Sequence, residues 1–292
     1  MLLTGLGLLS TKNSAQAATV GARLAIYYGY PSLINSANGD AEKAASVFSA
    51  YDVVVLGDGL EFPDRQPGRY PPGDPEEHQK ALTIISAVRD RKPGTRFYGY
   101  VCLGDVPSPK GEIALTPAQL EERVRLWKQM GVAGIFLDEA GYDFSVVTRQ
   151  RQNMVVKIIH ELGLSAFMNA YFLDHLFSVE DKLPHSAGPA KNPEHLPPLL
   201  DRRDLFLLES FLVRNGNYES VPEWQARLNL ALKYRRRYGT QIFATTTTTQ
   251  QEPFNAQKFN YAWWTAQLYD LDGFGWGEPN FAALSNSLPD RR

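Results

Sequence analysis

The sequence has very little cysteine, with Cys102 as its single thiol. One cysteine cannot form a disulfide within the chain, and it excludes a zinc site built from several cysteines. Charge of one sign is also scarce, because the formal net charge is only −2. A nearly neutral chain gives no reason to expect nucleic acid or an anionic membrane as its main partner.

Long apolar runs are equally scarce, and no stretch reaches the roughly 18 apolar residues of a membrane-spanning helix. The first residues, MLLTGLGLLS, are apolar, and Ala15-Gln16-Ala17 has the small-x-small form of a signal cleavage site. The positively charged region that normally opens a signal peptide is missing, since Lys12 follows the apolar run. We predict a signal-like or disordered segment over residues 1–20 and an exported protein, secreted, periplasmic or held at the cell surface.

From residue 23 onward, short apolar runs alternate with helical patterns. Several of these runs are apolar almost throughout, which is typical of parallel strands covered on both faces. The predicted strands are residues 23–31, 51–58, 95–104, 132–140, 165–172, 204–213, 240–249 and 273–280.

The intervening segments carry helix start and stop signals. Thr116 and Gln119 form a predicted capping box, and Gly131 supplies a left-handed stop. Ser220 and Asn255 are predicted N-caps of two later helices. The helix before the fifth strand has a predicted buried face of Met154, Ile158 and Leu162.

Eight strands separated by helices predict a single (β/α)8 TIM barrel over residues 21–292. An open doubly wound sheet is the alternative, but no Gly-rich phosphate loop follows any strand. The Pro-rich connection of residues 173–203 follows the fifth strand and is unusually long. We predict that this loop lies over the C-terminal mouth of the barrel.

Acidic residues stand where two of the predicted strands end. Asp138 and Glu139 close the fourth strand, and Glu209 lies near the end of the sixth. Active sites of barrels form at these strand ends, so we predict all three as catalytic. Adjacent residues of a strand point to opposite sides, so only one of Asp138 and Glu139 can point squarely at the barrel axis unless the strand has already turned into its loop. Two carboxyls across a groove are the apparatus of glycoside hydrolysis.

Other polar and aromatic residues occupy equivalent positions near strand ends. Aromatic rings suit sugars because their flat faces cover the C–H face of a pyranose, although a single aromatic more commonly belongs to the core. We predict substrate contacts from Tyr28, Tyr30, Asp58, Tyr98, Tyr100, Asn169, Tyr171, Trp276 and Glu278.

Structural roles compete with these assignments. The Asp138-Glu139 pair is also able to cap the following helix, and Glu209 to pair with a nearby arginine. Three histidines share the long loop, but their ten-residue spacing matches no metal template. We expect no metal site there, and we expect solvated side chains at His175, His185 and His195.

Three stretches resemble a known family: FYGYVCLGDV, LWKQMGVAGIFLDEAGYD and AFMNAY. Over about residues 95–215 the chain resembles the spherulin-4-like barrel glycosidases and, more distantly, the endo-α-1,4-polygalactosaminidases. The resemblance implies a secreted or surface-held enzyme that cleaves exopolysaccharides containing galactosamine or N-acetylgalactosamine, without a metal or an organic cofactor. It maps the catalytic groove onto Asp138, Glu139 and Glu209.

The expected function is therefore endo-acting hydrolysis of an amino-sugar polysaccharide by a monomer. Asp138 is the predicted principal carboxylate, Glu209 its acid/base partner, and Glu139 a second acid or an orienter of the 2-acetamido group. Retaining, inverting and substrate-assisted mechanisms all stay open. Two other classes are a carbohydrate-binding barrel without catalysis and a metal-dependent hydrolase or lyase that uses Asp58, Asp138, Glu139 and the loop histidines.

Overall fold

The computed structural model describes residues 21–66, 69, 71–106, 111, 113–283 and 285–289. Residues 1–20, on which the expectation of export rests, lie outside the described residues. Within the described ranges, no helix is both long and apolar enough to cross a membrane.

Eight parallel strands close into a barrel in the order of the chain, and the first strand completes the ring by pairing with the last. A helix follows each of the first seven strands. This arrangement confirms the predicted (β/α)8 barrel, and each predicted strand overlaps an observed one. The strands are β1 (Ala22–Tyr27), β2 (Val53–Leu56), β3 (Arg96–Cys102), β4 (Gly134–Asp138), β5 (Ser165–Asn169), β6 (Leu205–Leu208), β7 (Gln241–Thr245) and β8 (Gly273–Gly275).

The helices pack around the barrel, and their ends bear out most of the predicted caps. Thr116 and Gln119 form the predicted capping box, and Asn255 accepts a hydrogen bond from the Lys258 N–H. Ser220 occupies the N-cap position, but its hydroxyl bonds to the Glu223 carboxylate instead of a backbone N–H. The helices are α1 (Ala41–Phe48), α2 (Pro75–Arg91), α3 (Pro117–Gln129), α4 (Arg149–Glu161), α5 (Asp174–Phe177), α6 (Val221–Tyr238) and α7 (Ala256–Leu268).

The buried face of α4 differs from the prediction by one position. Met154, Ile158 and Leu162 are only partly buried, and the neighbouring Val155 and Ile159 are fully buried. Two polar residues on the buried face, Arg149 and Gln152, hide its periodicity in the sequence. Arg149 is buried because its guanidinium donates to backbone carbonyls of the long loop, among them Leu176 at 2.6 Å.

Side chains that alternate along each strand fill the barrel interior. The interior rings include Phe136 and Phe167, with centroids 5.1 Å apart, and Phe243, 5.7 Å from Phe167. The residue two positions after an interior residue faces the axis again, one layer nearer the C-terminal mouth. The interior cluster is Leu24, Ile26, Val53, Val55, Tyr98, Phe136, Phe167, Leu205, Leu207 and Phe243.

The β3 residues that alternate with the interior ones face the helices, and position 99 requires glycine. A Cβ on Gly99 would lie 2.0 Å from the indole of Trp127, which is buried between α3 and the barrel. Trp127 also donates from its ring nitrogen to the Tyr100 carbonyl at 3.0 Å. This contact fixes the end of β3, and Tyr100 therefore points into the mouth.

Candidate active site

The C-terminal mouth of the barrel contains a cavity of about 520 Å³. Four of its lining residues are carboxylates, Asp138, Glu139, Glu209 and Glu278, and none of the lining residues is basic. The cavity therefore carries concentrated negative charge. Its lining residues are Tyr28, Asp138, Glu139, Asn169, Glu209, Asn215, Thr247, Thr248, Glu278, Asn280, Phe281 and Ala283.

The amide of Asn169 joins the two principal carboxylates. Its Nδ2 donates to Asp138 Oδ1 at 2.9 Å and to Glu209 Oε2 at 2.9 Å. The two acceptor oxygens are consequently separated by no more than twice that distance. Asp138, Asn169 and Glu209 each follow an interior residue by two positions, so strand alternation brings all three to the axis.

Asp138 sits among hydrogen-bond donors in a buried setting. Burial raises the pKa of its carboxyl, hydrogen bonds from Asn169, from the Glu139 N–H and from Tyr100 lower it, and the charge of Asp58 raises it. The net effect is a raised pKa. Three donors around one carboxylate favour its ionised form relative to an equally buried carboxyl without them.

Glu209 has a different surrounding. Burial raises the pKa of its carboxyl, the Asn169 hydrogen bond lowers it, and the neighbouring charge of Asp138 raises it. Arg227 and Arg214 lower this pKa, but the net shift is upward. The charges of two arginines thus lower the pKa of Glu209, whereas no cation is among the main causes of the pKa shift of Asp138.

The structure shows which of the two adjacent acids faces the axis. Asp138 is the last residue of β4 and points inward after Phe136, whereas Glu139 has a left-handed backbone with φ of 52°. Its Oε2 accepts a hydrogen bond from the Cys102 thiol at 3.3 Å. A left-handed non-glycine residue at a cavity wall is a strained conformation of the kind found at functional sites.

Aromatic rings form one wall of the site. Tyr28 lines the cavity, and its ring packs edge-on against Tyr100 with centroids 5.2 Å apart. Phe281 packs on Tyr28 at 5.4 Å from the other side. Tyr28, Tyr100, Asn169 and Glu278 are therefore the predicted substrate-binding residues that the fold brings to the mouth.

The remaining predicted residues lie elsewhere. Tyr30 is exposed outside the cavity, and Tyr98 is buried in the barrel interior, where its hydroxyl bonds to the Ser165 hydroxyl at 2.9 Å. Trp276 is only 2% exposed and packs edge-on against Phe254. Tyr171 accepts a hydrogen bond from Arg214 and lines a separate cavity of about 250 Å³ beside α6.

Asp58 is held in an ion pair behind the site. Its carboxylate accepts from Arg123 of α3, and the same guanidinium lies 2.6 Å from Glu61. Glu61 is completely buried, and this burial raises its pKa to about 7, although the charge of Arg123 opposes the rise. Asp58 is thus the ion-pair partner of Arg123, and its charge also raises the pKa of Asp138 at the mouth.

Sequence reasoning missed the lining residues that come from the loops after β6, β7 and β8. Thr247 bonds to the Ser210 hydroxyl at 2.8 Å and accepts the Asn215 N–H at 3.0 Å, so the first two loops support each other. Asn215 and Asn280 have left-handed backbones. Asparagine tolerates this conformation, and Asn215-Gly216 is a turn signal that points to the first of these loops.

The long loop of residues 173–203 contributes no residue to the cavity lining. It is tied to α4 instead, and its His175 is buried, contrary to the expectation of a solvated side chain. His175 Nδ1 accepts the Tyr142 N–H at 3.0 Å, and Nε2 lies 2.8 Å from the Pro184 carbonyl. The loop histidines therefore do not join the acids at the mouth.

One cluster among the described residues has the spacing for a metal ion, namely His160, Asp201 and Asp204. It lies at the base of the barrel, because Asp204 directly precedes β6. The Asp204 oxygens already accept from the Ala166 N–H, the Asp201 N–H and His160, all within 3.0 Å. This group is a hydrogen-bonded brace between strands, and it lies at the opposite end from the cavity.

Comparison with known proteins gives no sequence match, since no family model and no curated protein matches the chain. Solved structures do match it. An α-L-fucosidase isoenzyme 2 from Paenibacillus thiaminolyticus is 11% identical, with a TM-score of 0.55 over 90% of this chain and 47% of that one. An α-amylase from Geobacillus thermoleovorans is 11% identical, with a TM-score of 0.51 over 92% and 74%.

The glycoside hydrolase domain of PelA from Pseudomonas aeruginosa is 15% identical, with a TM-score of 0.49 over 92% of this chain and 100% of that domain. At such identities a structural likeness establishes the fold and leaves the chemistry to the residues of the site. The chain has the (β/α)8 barrel fold that its matched fucosidase and amylase also have.

Proposed function

We propose that this protein is an endo-acting glycoside hydrolase whose catalytic pair is Asp138 and Glu209. The observation that carries the proposal is the single amide of Asn169 that bonds to both carboxylates at the floor of an open cavity. Glycoside hydrolysis needs two carboxyls at a defined separation, with different protonation states, on either side of the scissile bond.

The separation favours a retaining mechanism with a protein nucleophile. Carboxyl groups lie about 5–5.5 Å apart in retaining enzymes and about 6.5–9.5 Å apart in inverting ones. Two oxygens each 2.9 Å from one nitrogen lie no more than twice that distance apart, which is nearer to the shorter class than to the longer.

Burial raises the pKa of both carboxyls, and Asp138 is the proposed nucleophile because it accepts three hydrogen bonds that favour the charged form, whereas Glu209 accepts one. It attacks the anomeric carbon and forms a glycosyl ester, while the carboxyl of Glu209 transfers its proton to the departing glycosidic oxygen. Glu209, now a carboxylate, takes a proton from water. The resulting hydroxide equivalent attacks the anomeric carbon, and the ester bond to Asp138 breaks.

The remaining mouth residues support these two. Asn169 keeps both carboxylates in reach of one sugar ring, and Tyr100 bonds to Asp138 from the aromatic wall. Tyr28 offers an aromatic surface for the C–H face of a pyranose. Glu139 lines the cavity beside Asp138 and is the proposed orienter of the substituent at C2.

The charge of the cavity supports an amino-sugar substrate. Four lining carboxylates without a lining base attract a cationic polymer such as partly deacetylated poly-N-acetylgalactosamine. The resemblance to the spherulin-4-like glycosidases points to the same polymer. An exported monomer that needs neither metal nor organic cofactor completes the proposal.

The test is reducing-end release from partly deacetylated poly-N-acetylgalactosamine and from a panel of other polysaccharides, in the presence of a chelator. Release from the amino-sugar polymer, with loss in both Asp138→Asn and Glu209→Gln, supports the proposal. Binding of the polymer without release indicates a carbohydrate-binding barrel instead. Activity that the chelator abolishes indicates a metal-dependent hydrolase.

A further inference from the structure

Arg227 of α6 contacts the backbone of Glu209 and the loop behind it. Its guanidinium donates to the Glu209 carbonyl and lies 3.2 Å from the Glu219 carboxylate. Glu219 in turn accepts the Leu212 N–H at 3.2 Å. The side chains of Arg227 and Glu219 are 16% and 4% exposed, so this is a largely buried ion pair.

The segment that Arg227 holds is strained. Ser210 and Leu212 both have left-handed backbones, with φ of 56° and 66°, directly after Glu209. Residues in this region persist only where their surroundings hold them, and the strain is commonly found at active sites. The guanidinium of Arg227 stabilises this conformation, because it contacts both the Glu209 carbonyl and Glu219 on the far side of the same loop.

Arg227 also faces an aromatic ring. Its guanidinium lies 4.4 Å from the ring centre of Tyr171, whose hydroxyl accepts a hydrogen bond from Arg214 at 2.9 Å. Tyr171 therefore packs with two arginines, Arg214 and Arg227. The packing limits where the Arg227 charge can move, which a lysine on a flexible stem would not reproduce.

We propose that Arg227 is a positioning residue for catalysis, because it holds the backbone of Glu209 through that residue's carbonyl and is itself fixed by Glu219 and Tyr171. The inference rests on the proposed acid/base role of Glu209. The charged and titratable groups that influence Glu209 are Asp138 from β4, Tyr28 from β1, and Arg214 and Arg227. Both arginines lower the pKa of Glu209.

Two variants separate geometry from charge. Arg227→Lys keeps the charge and loses the fork, so we expect kcat/KM about 10- to 100-fold lower, as for a small misplacement of a catalytic group, with the pH profile unmoved. Arg227→Gln combined with Glu219→Gln removes both charges of the ion pair, and comparison with Glu219→Gln alone isolates the effect of the Arg227 charge. We expect the basic limb of the kcat/KM profile to move to higher pH, since Glu209 then holds its proton longer.

Arg235 is a matched control on the same helix. It also joins a backbone carbonyl, that of Asp270, to an acid, Asp272 at 3.6 Å, but it does so away from the mouth. Arg235→Lys and Arg235→Gln are expected to leave kcat/KM and both limbs unchanged. An equal loss in the two Lys variants, or an unmoved basic limb in the charge-deleted variant, overturns the proposal.

A titration without substrate keeps the inference separate from the proposed function. Carbon-13 NMR of labelled glutamate carboxyls, with Glu209 assigned by Glu209→Gln, measures the midpoint of Glu209 directly. A midpoint that rises in the charge-deleted Arg227 variant and stays in Arg235→Gln supports the inference, even if no polysaccharide is cleaved. An unchanged midpoint in a protein that cleaves the polymer overturns the inference and leaves the function standing.

Discussion

Acidic side chains stand at both ends of this barrel, and they have different surroundings at the two ends. At the base, three aspartates directly precede even-numbered strands, and each accepts a backbone N–H from the strand before. This bond fastens neighbouring strands where the barrel begins. The three bonds are Arg23 N–H to Asp52 at 2.7 Å, Ala166 N–H to Asp204 at 2.8 Å and Ile242 N–H to Asp272 at 2.8 Å.

At the mouth, the acids follow their strands and face one another. Asp138 and Glu209 share one neutral donor, Asn169. Both carboxyls are buried, and the charge of Asp138 raises the pKa of Glu209. Acidic residues before a strand therefore join it to its neighbour, and those after a strand form the proposed catalytic pair. Strand direction, which a sequence reveals, therefore separates the two roles.

The largest effect is expected from a neutral substitution at the mouth. Asp138→Asn removes the proposed nucleophile, so kcat should fall by about 10⁴-fold or more, as for other nucleophile deletions. Because the substitution also relieves the repulsion with Glu209, the free energy of unfolding should not fall. Reducing-end assays and urea unfolding on the same preparation check both parts, and a destabilised Asp138→Asn protein would contradict the comparison.

A substitution at the base should do the opposite. Asp204→Ala leaves His160 and the backbone N–H groups of Ala166 and Asp201 without their acceptor, so the free energy of unfolding should fall by about 3 kcal/mol. The folded fraction should retain the wild-type kcat, since the mouth is at the far end of the strands. A loss of kcat at a temperature where the variant is fully folded would argue against the separation of roles.

The two ends should also differ in how pH changes stability. The pKa of Asp138 is raised, so its contribution is present below the usual carboxyl value and is lost as pH rises through the folded value. Asp52 behaves oppositely: burial raises its pKa, but hydrogen bonds from Lys92 and Arg23 outweigh that and lower it. Its contribution is present above the usual value and is lost as pH falls.

Urea unfolding between pH 3 and pH 8 measures this difference. Relative to wild type, Asp138→Asn should gain stability as pH rises above about 4. Asp52→Asn should instead lose stability as pH rises toward about 4 and change little above it, because the pKa of Asp52 is lowered. If the free energies of unfolding of the two variants changed with pH in the same way, the two acids would not differ in their effect on stability.

The smallest effects come from two tyrosines on one strand. Tyr98→Phe removes a hydroxyl that bonds to Ser165 in the interior, and it should reduce stability by about 1 kcal/mol without changing kcat. Tyr100→Phe removes a hydrogen bond to Asp138, so it should lower kcat/KM roughly tenfold. Melting curves and kinetics on the pair check both, and an exchange of the two outcomes would contradict the assignment.

The barrel was predictable because its signals are local and repeated. Near-continuous apolar strands, a capping box at Thr116 and a turn glycine at Gly131 each act within a few residues. The acids at strand ends were predictable for the same reason. The inward direction of Asp138 was not predictable from the strand alone. It follows from the inward direction of Phe136, two positions earlier, which depends on how the interior layers of the barrel pack.

Other features depend on tertiary contacts that no single segment encodes. Tyr98 and Trp276 look like sugar platforms by position but are buried by the rings around them. The loop of residues 173–203 is drawn to α4 by the buried Arg149 and His175. Arg227 reaches Glu209 across the outside of the barrel from a helix, a contact that the spacing along the chain does not predict.

The catalytic assignment is tested most directly by trapping the glycosyl ester. A 5-fluoro glycosyl fluoride of galactosamine slows breakdown of the ester more than its formation, so mass spectrometry of the intact protein should show one added sugar. Peptide mapping should place that sugar on Asp138, and Asp138→Asn should take up none. A label on Glu209 or any other residue, or an unlabelled protein that still cleaves the polymer, would contradict Asp138 as the nucleophile.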